Sequence, residues 1–514
     1  MLFLRFLIAI LPIIWLIIGL SKIKMQGYKA CSITLIITFI LAIAFWKLNP
    51  GYAATAALEG ILNALWPICL VIIAALFAYN LTLRTGAMDS IKKMLAGVST
   101  DKRVLALIIG WGFGNFMEGM AGFGTAVAIP ASMLAGIGLN PFAAVTACLV
   151  VNSTPTAFGS VGIPLVTLSS VTGVPSNTLA ANTAIIEAIL TFISPFIMVC
   201  IVGGGIKALR GSFIITLISA LSFVLPWYIT ATVVGAELPN IVGSICCMAF
   251  TVIAAKVLNK NAEEEYCIEA QSKEEGPALT FGKGIQAWCT FILIFIMLMV
   301  TSSLCPPING LISGYKSVVS VYAGENPGKL TFSWINTPGV IILIAAFIGG
   351  LIQGAKISTM LEVLGSTLKA NWKTIVTICS VMATAKIMGY SGMISDMASF
   401  LVVVAGGAYP IISPLIGAIG GFVTGSGTST CVLFGGLQVE TAKSLGFSPA
   451  WMAAANVLGG GIGKMICPQG IAIGASAINQ SGSESKILGK MFKYFITYVI
   501  VSGIVCYLGT LFIK

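Results

Sequence analysis

Histidine is absent from this chain. That removes Ser-His-Asp triads, histidine-ligated haem and the usual zinc sites. Charge is scarce as well: 9% of the 514 residues are Asp, Glu, Lys or Arg, against roughly 25% in an average soluble domain. The 28 basic and 17 acidic side chains cannot cover the surface of a soluble protein of this length. No C-x-x-C pair occurs among the 13 cysteines, and most lie in apolar segments, such as Cys69, Cys148, Cys200, Cys379 and Cys467. They read as small reduced core residues and not as a disulfide or metal framework. No metal and no cofactor is expected.

What is present is apolar. Hydrophobic residues make up 57% of the chain, and the mean hydropathy is +1.01. Stretches such as 60–83 and 285–304 reach the roughly 20 residues needed to cross a bilayer. Open sheets and loops cannot face lipid, so the chain reads as an all-α polytopic membrane protein. Clear spans fall at 2–20, 29–48, 60–83, 212–233, 239–257, 285–304, 334–353 and 494–512. With broken helices and re-entrant hairpins counted, 12 to 14 transmembrane helices are expected. The first span lacks a small-residue cleavage site and reads as a membrane helix, not a removed signal peptide.

A net charge of +11 would suggest nucleic acid in a soluble protein. Here the basic residues collect in alternate loops. Six of them, around 22–29, 84–103, 207–210, 256–283, 356–373 and 486–493, hold 20 of the 28. The positive-inside rule places these on the cytoplasmic side and both termini outside. The partner is therefore the lipid bilayer of the cell membrane. Residues 258–284 form an acidic hydrophilic linker between an N-terminal half, 1–257, and a C-terminal half, 285–514. Residues 305–333 are the expected large external loop.

The halves repeat each other. Asn152, Gly159 and Pro164 match Asn456, Gly463 and Pro468 as N-x6-G-x4-P. Gly122-Phe123-Gly124-Thr125 matches Gly425-Ser426-Gly427-Thr428 as G-x-G-T. Gly138-Leu139-Asn140-Pro141 matches Gly446-Phe447-Ser448-Pro449. The three elements run in the same order, offset by about 300 residues. Duplicated halves with Gly- and Pro-interrupted helices point to a secondary transporter with its site at the repeat interface.

Helix N-termini freed at such breaks carry partial positive charge and unpaired N–H groups, which suit a carboxylate. The candidate substrate-binding set is Gly124, Thr125, Asn152, Ser153, Thr154, Ser426, Thr428 and Ser429, with Lys464 and Gln469 close by. Close helix packing is the competing use of the small residues. For scattered glycines such as Gly203 to Gly205 and Gly349-Gly350, packing is the better account.

Intramembrane charges are expensive and commonly functional. Between residues 104 and 206 only Glu118 and Glu187 are charged. Burial favours the neutral form of a carboxyl, so Glu118, just before the first G-x-G-T, is the candidate proton carrier. Glu187 ranks lower and is free to snorkel or pair. Lys464 can pair with a substrate carboxylate or with Glu118. Lys386 and Asp396 flank another expected break at 388–393. They can pair with each other or contribute to coupling, and Asp396 is the reserve proton carrier.

The stretches FMEGMAGFGTAVAIPASMLAGIGLNP (116–141), NSTPTAFGSVGIP (152–164), TGSGTSTCVLFGGLQ (424–438) and GKMICPQGIAI (463–473) resemble the lactate permease family. The resemblance runs over nearly the whole chain. It implies proton-coupled import of L-lactate and related 2-hydroxy monocarboxylates such as glycolate, with inverted repeats and re-entrant hairpins. One position departs from the pattern: family members commonly read T-G-S-D-T-S, where this chain has Gly427. A sodium-coupled or exchange carrier for another small organic anion stays open, as does a channel. A membrane-embedded enzyme is disfavoured, because the chain lacks histidine and paired intramembrane carboxylates.

Overall fold

In a computed structural model the chain is almost entirely helical. The structure describes residues 2–513 apart from Lys24, Phe123, 259–263, 269–280, Ser303, Asn326 and 481–482. Ten described helices are long and apolar enough to cross a bilayer. The pair Pro141–Val151 and Pro155–Thr172, bent by 67°, makes an eleventh if taken as one span. Thr125–Gly136 and Pro338–Ile352 are shorter apolar helices; the second, expected from sequence as a full span at 334–353, has 15 residues. The outward faces of the long helices carry exposed Ile36, Ile40, Ile253 and Val403, as lipid requires. The segment expected as an external loop carries an antiparallel hairpin, Lys316–Val319 with Leu330–Ser333. All 13 cysteines are free thiols.

Most of the expected linker 258–284 lies outside the described residues. A short piece docks on the N-terminal half: the amide of Ile268 bonds the Thr100 carbonyl at 2.9 Å, and Tyr266 lies 3.9 Å below the Arg103 guanidinium. The two halves are interleaved in space. Helices Leu2–Ile17 and Gly27–Ala44 pack on Met393–Ala405 and Ile357–Ser391.

The repeated motifs mark helix starts and breaks. Asn140 caps Pro141–Val151 by accepting from Ala143 N at 3.1 Å, with Pro141 in the first turn. Pro449 likewise stands in the first turn of its helix, Pro449–Lys464, though Ser448 before it makes no side-chain cap. Each G-x-G-T ends one helix and starts the next. Gly114–Met120 stops before Gly122 and Gly124, at φ +59° and +86°, and Thr125–Gly136 follows. Tyr409–Thr424 stops at Gly425, φ +66°, and Gly427–Leu445 follows, capped by Ser426 onto Ser429 N. Only glycine takes such a left-handed position without strain.

The N-x6-G-x4-P correspondence aligns the sequences but not the breaks. Asn152 follows the end of an 11-residue helix. Asn456 lies inside a 16-residue helix, so the second break comes later, at Met465–Cys467. Gly463 also has a different use from Gly159. It faces Ala418 across the contact between Tyr409–Thr424 and Pro449–Lys464, where Gly417, Gly421, Gly459 and Gly463 bring two backbones together. This is the small-xxx-small arrangement by which membrane helices pack. A Cβ on Gly463 would overlap the Ala418 carbonyl, which is backbone and cannot swing aside. Gly463→Ala is expected to cost about 1–3 kcal/mol or more, as overpacking does. The check is a lower thermal midpoint in detergent; an unchanged midpoint would show that the two helices can separate freely.

Candidate substrate site

The regions 104–170 and 410–476 meet. Helix Gly159–Thr172 packs on Gly427–Leu445, and Thr125–Gly136 packs on Pro468–Ala477. At their junction lies a buried ion pair. Lys464 Nζ is 2.9 Å from Glu118 Oε1, and the two side chains are 14% and 3% exposed. Asn152 Nδ2 donates to Glu118 Oε2 at 2.9 Å. Thr156 Oγ1, itself donating to the Asn152 carbonyl, lies 3.4 Å from Lys464 Nζ. The pair ties the first break of one half to the second break of the other.

Glycine 159 makes room for it. A Cβ there would sit 2.7 Å from Glu118 Oε1. The next three residues, Ser160, Val161 and Gly162, all take left-handed backbone, at φ 45°, 57° and 75°. For a β-branched valine this is a genuine outlier, costing of order 1–3 kcal/mol. It is held in part by Ser160 Oγ donating to the Ala121 carbonyl at 2.9 Å. Strained backbone of this kind concentrates at functional sites.

Lys464 also lines a cavity of about 530 Å³, within the range of small-molecule sites. Two helix N-termini face it: Ser426, Thr428 and Ser429 come from the start of Gly427–Leu445, and Pro468, Gln469 and Gly470 from the start of Pro468–Ala477. The charged residues lining it are Lys373 and Lys464, both cationic. Two ammonium groups, two positive dipole ends and several hydroxyls make an anion-attracting space, with no carboxylate among its described lining residues. A second, small cavity shares Gly124, Lys464 and Gly470 with the first and adds Asn152 and Ser153. A third holds Glu118, Thr156, Gly159, Ser160, Gly427 and Lys464. Lys464 stands where all three meet.

Of the ten candidate binding residues, Gly124, Ser426, Thr428, Ser429, Lys464 and Gln469 line the large cavity, and Asn152 and Ser153 line its small neighbour. Thr125 and Thr154 line neither. The Thr125 hydroxyl is turned back onto the Gly122 carbonyl at 2.7 Å, and the Thr154 hydroxyl is buried without a partner. Gly427, where the resembling pattern has an acid, faces the cavity that holds Glu118 and Lys464. Among the described residues Glu118 is therefore the one carboxylate lining that space.

Lys386 and Asp396 do not pair with each other. Lys386 Nζ binds Glu59 at 2.8 Å, and Tyr390 OH donates to the same carboxylate. Asp396 instead accepts from Trp46 Nε1 at 2.8 Å and faces Arg5 at 3.5 Å. The break between them is present, at Gly392 with φ +89°. Glu59, only 2% exposed, was missed from sequence because it lies in an ordinary apolar helix, Pro50–Asn63, with no motif around it. Lys373, Tyr28 and Gln26 were missed too. Lys373 belongs to a basic cluster that reads as topology, yet it lines the cavity with Tyr28.

Glu187 neither snorkels nor pairs. It is fully buried on Ser176–Val202, and neither carboxyl oxygen has a hydrogen-bond partner among the described residues. The hydroxyls of Thr183 and Thr191, one turn away on each side, are unpartnered as well. A neutral amide of the same shape fits that space without burying charge. Glu187→Gln is expected to keep wild-type expression, melting midpoint and uptake within twofold. A tenfold fall in uptake at normal expression would make Glu187 part of coupling.

A helical multi-pass protein with broken helices from two halves meeting at a buried ion pair beside an anion-attracting cavity is a membrane transporter, not an enzyme. The chain belongs to the L-lactate permease family, whose profile matches residues 5–513. An L-lactate permease of Streptococcus iniae is 44% identical over 448 residues, covering 87% of this chain and 93% of that one. The glycolate permease GlcA of Escherichia coli K12 is 31% identical over 532 residues, covering 97% and 94%. Among solved structures, MtrF of Neisseria gonorrhoeae, described as illuminating a class of antimetabolite efflux pumps, aligns over 97% of both chains. Its TM-score is 0.51 at 12% identity, a likeness of fold. The protein is thus a multi-pass cell-membrane transporter.

Proposed function

We propose that this chain imports L-lactate, and glycolate or similar 2-hydroxy monocarboxylates, by proton symport. The names of its relatives support the substrate class. One observation carries the mechanism: Lys464 stands between Glu118 and the anion-attracting cavity. A substrate carboxylate entering among Ser426, Thr428, Ser429 and Gln469 competes with Glu118 for the same ammonium. Charge-assisted hydrogen bonds of this kind contribute roughly 1.5–3 kcal/mol each. Once Lys464 turns to the substrate, Glu118 is left buried without its counter-ion, and a proton neutralises it. Substrate and proton then load together and leave together. The cavity lining includes Gln26, Tyr28 and Lys373, from segments that the positive-inside reading puts on the cytoplasmic side.

The test is uptake of labelled L-lactate into proteoliposomes under an imposed pH gradient, an imposed sodium gradient, or neither. Accumulation under the pH gradient alone is the expected result. Accumulation that needs sodium, or counterflow without net accumulation, would replace proton symport by sodium coupling or exchange.

A further inference from the structure

A second cavity, of about 600 Å³, lies away from the substrate site. Its walls are Ala143 and Thr146 of Pro141–Val151, Cys200 and Ile201 of Ser176–Val202, the Gly204-Gly205-Ile206 turn, and Lys490, Lys493 and Tyr494 of Glu484–Gly509. No carboxylate lines it among the described residues. Lys486, Lys490 and Lys493 fall at i, i+4 and i+7, one face of their helix, where like charges repel. No ion pair joins any of the three to a carboxylate among the described residues. What they have instead are aromatic faces: Lys486 and Lys490 stand 4.5 and 5.5 Å from the Phe142 ring, and Lys493 stands 4.8 Å from the Tyr494 ring. The Thr146 hydroxyl on the wall is buried and unpartnered. The glycine turn leaves open space, with nothing within 4 Å of where either Cβ would be. Among the described residues the cavity thus holds cations and a free hydroxyl with no counter-charge.

The surroundings say which anion. Ile206 on the rim is 81% exposed, and Phe213, Ile214 and Phe492 nearby in the chain are exposed as well. Large apolar side chains around a cationic pocket suit acyl chains below a headgroup, not a free ion in water. The lysines also lie in a loop region that the positive-inside rule assigns to the cytoplasmic face, where basic pockets between membrane helices hold anionic headgroups. We propose that this cavity binds an anionic phospholipid, its phosphodiester held by Lys490 and Lys493 and its acyl chains lying along the exposed apolar rim. The site is separate from the transported substrate and does not depend on its identity.

The experiment uses the full chain, purified in detergent and offered phosphatidylglycerol or phosphatidylcholine, with retained lipid counted by native mass spectrometry. The wild type is expected to retain phosphatidylglycerol over phosphatidylcholine, and Lys490→Ala with Lys493→Ala to lower that retention about tenfold or more. Lys356→Ala with Lys369→Ala removes the same charge from exposed positions elsewhere and should keep it. Uptake in the same preparations checks that each variant is folded. Equal retention by wild type and the 490/493 variant, equal loss in the control variant, or equal retention of phosphatidylcholine would each overturn the proposal. So would displacement of the lipid by millimolar inorganic phosphate, which would make the cavity a soluble-anion site.

Discussion

Lys464→Met is expected to raise the KM for lactate at least tenfold and to lower the melting midpoint of the protein. The two losses have different causes. In transport, the variant removes the more buried of the two cations described as lining the cavity, which it shares with both helix N-termini. One decade in affinity needs only about 1.4 kcal/mol, less than a single charge-assisted bond at the upper end of its range. In stability, it leaves Glu118 buried with only Asn152 as a partner. Breaking a buried pair from one side costs about 3–5 kcal/mol, because the remaining charge is uncompensated. The double variant Lys464→Met with Glu118→Gln separates them. It buries no unpaired charge, so the midpoint should recover while uptake stays low. Lys464→Arg should keep the pair but misplace the donors, since a planar fork does not fit a site built around a point charge. If Lys464→Met transports lactate with wild-type KM at wild-type expression, Lys464 is a structural ion pair and the substrate carboxylate is held elsewhere.

The placement of this pair explains how much could be read from the sequence. Both G-x-G-T breaks were legible because glycine and proline punctuate helices for local reasons, and Gly124 and Gly425 do take the left-handed conformations the pattern asks for. Glu118 and Lys464 stood out because a charge in an apolar run is costly wherever it lands. Their partnership was one of two options, since sequence does not say which charges meet. The same limit applies to Lys386 and Asp396, for which pairing with each other was one of two options. Lys386 and Asp396 lie ten residues apart on consecutive helices, yet each finds its partner near the chain's beginning, Glu59 and Arg5. Those contacts arise because the first three helices pack on the second half, which no local pattern encodes. Gly463 shows the opposite case. Its motif was legible, but its use in packing helices depends on a neighbour, Ala418, whose position only the fold supplies. Lys373 was hidden by its neighbours, because a lysine in a basic loop cluster carries no sign that it also faces a cavity.

Glu118→Gln is expected to abolish proton-driven accumulation of lactate while sparing lactate–lactate exchange. Moving an anion alone into a negative-inside cell is opposed by about 2.3 kcal/mol per 100 mV. A proton carried with it makes the step electroneutral, and each unit of pH difference then contributes about 1.36 kcal/mol towards accumulation. The group that carries the proton must face the substrate's own partner, and in this chain, without histidine, a carboxyl is the natural choice. Glu118 meets the geometric condition: it shares Lys464 with the anion-attracting cavity at 2.9 Å and is nearly buried. Asp396, the reserve, lines none of the three cavities around Lys464, and Asp396→Asn should leave accumulation within twofold. The amide of Glu118→Gln keeps a bond from Asn152 and presents no charge to Lys464, so the ammonium is permanently available to substrate. Exchange, which moves a substrate in each direction and no net proton, needs nothing more. Exchange and accumulation are read in the same proteoliposomes, the first with lactate on both sides and the second with an imposed pH gradient. Accumulation by the Gln variant under a proton gradient alone would remove Glu118 from the coupling step, and loss of both activities at normal expression would make it a binding residue instead.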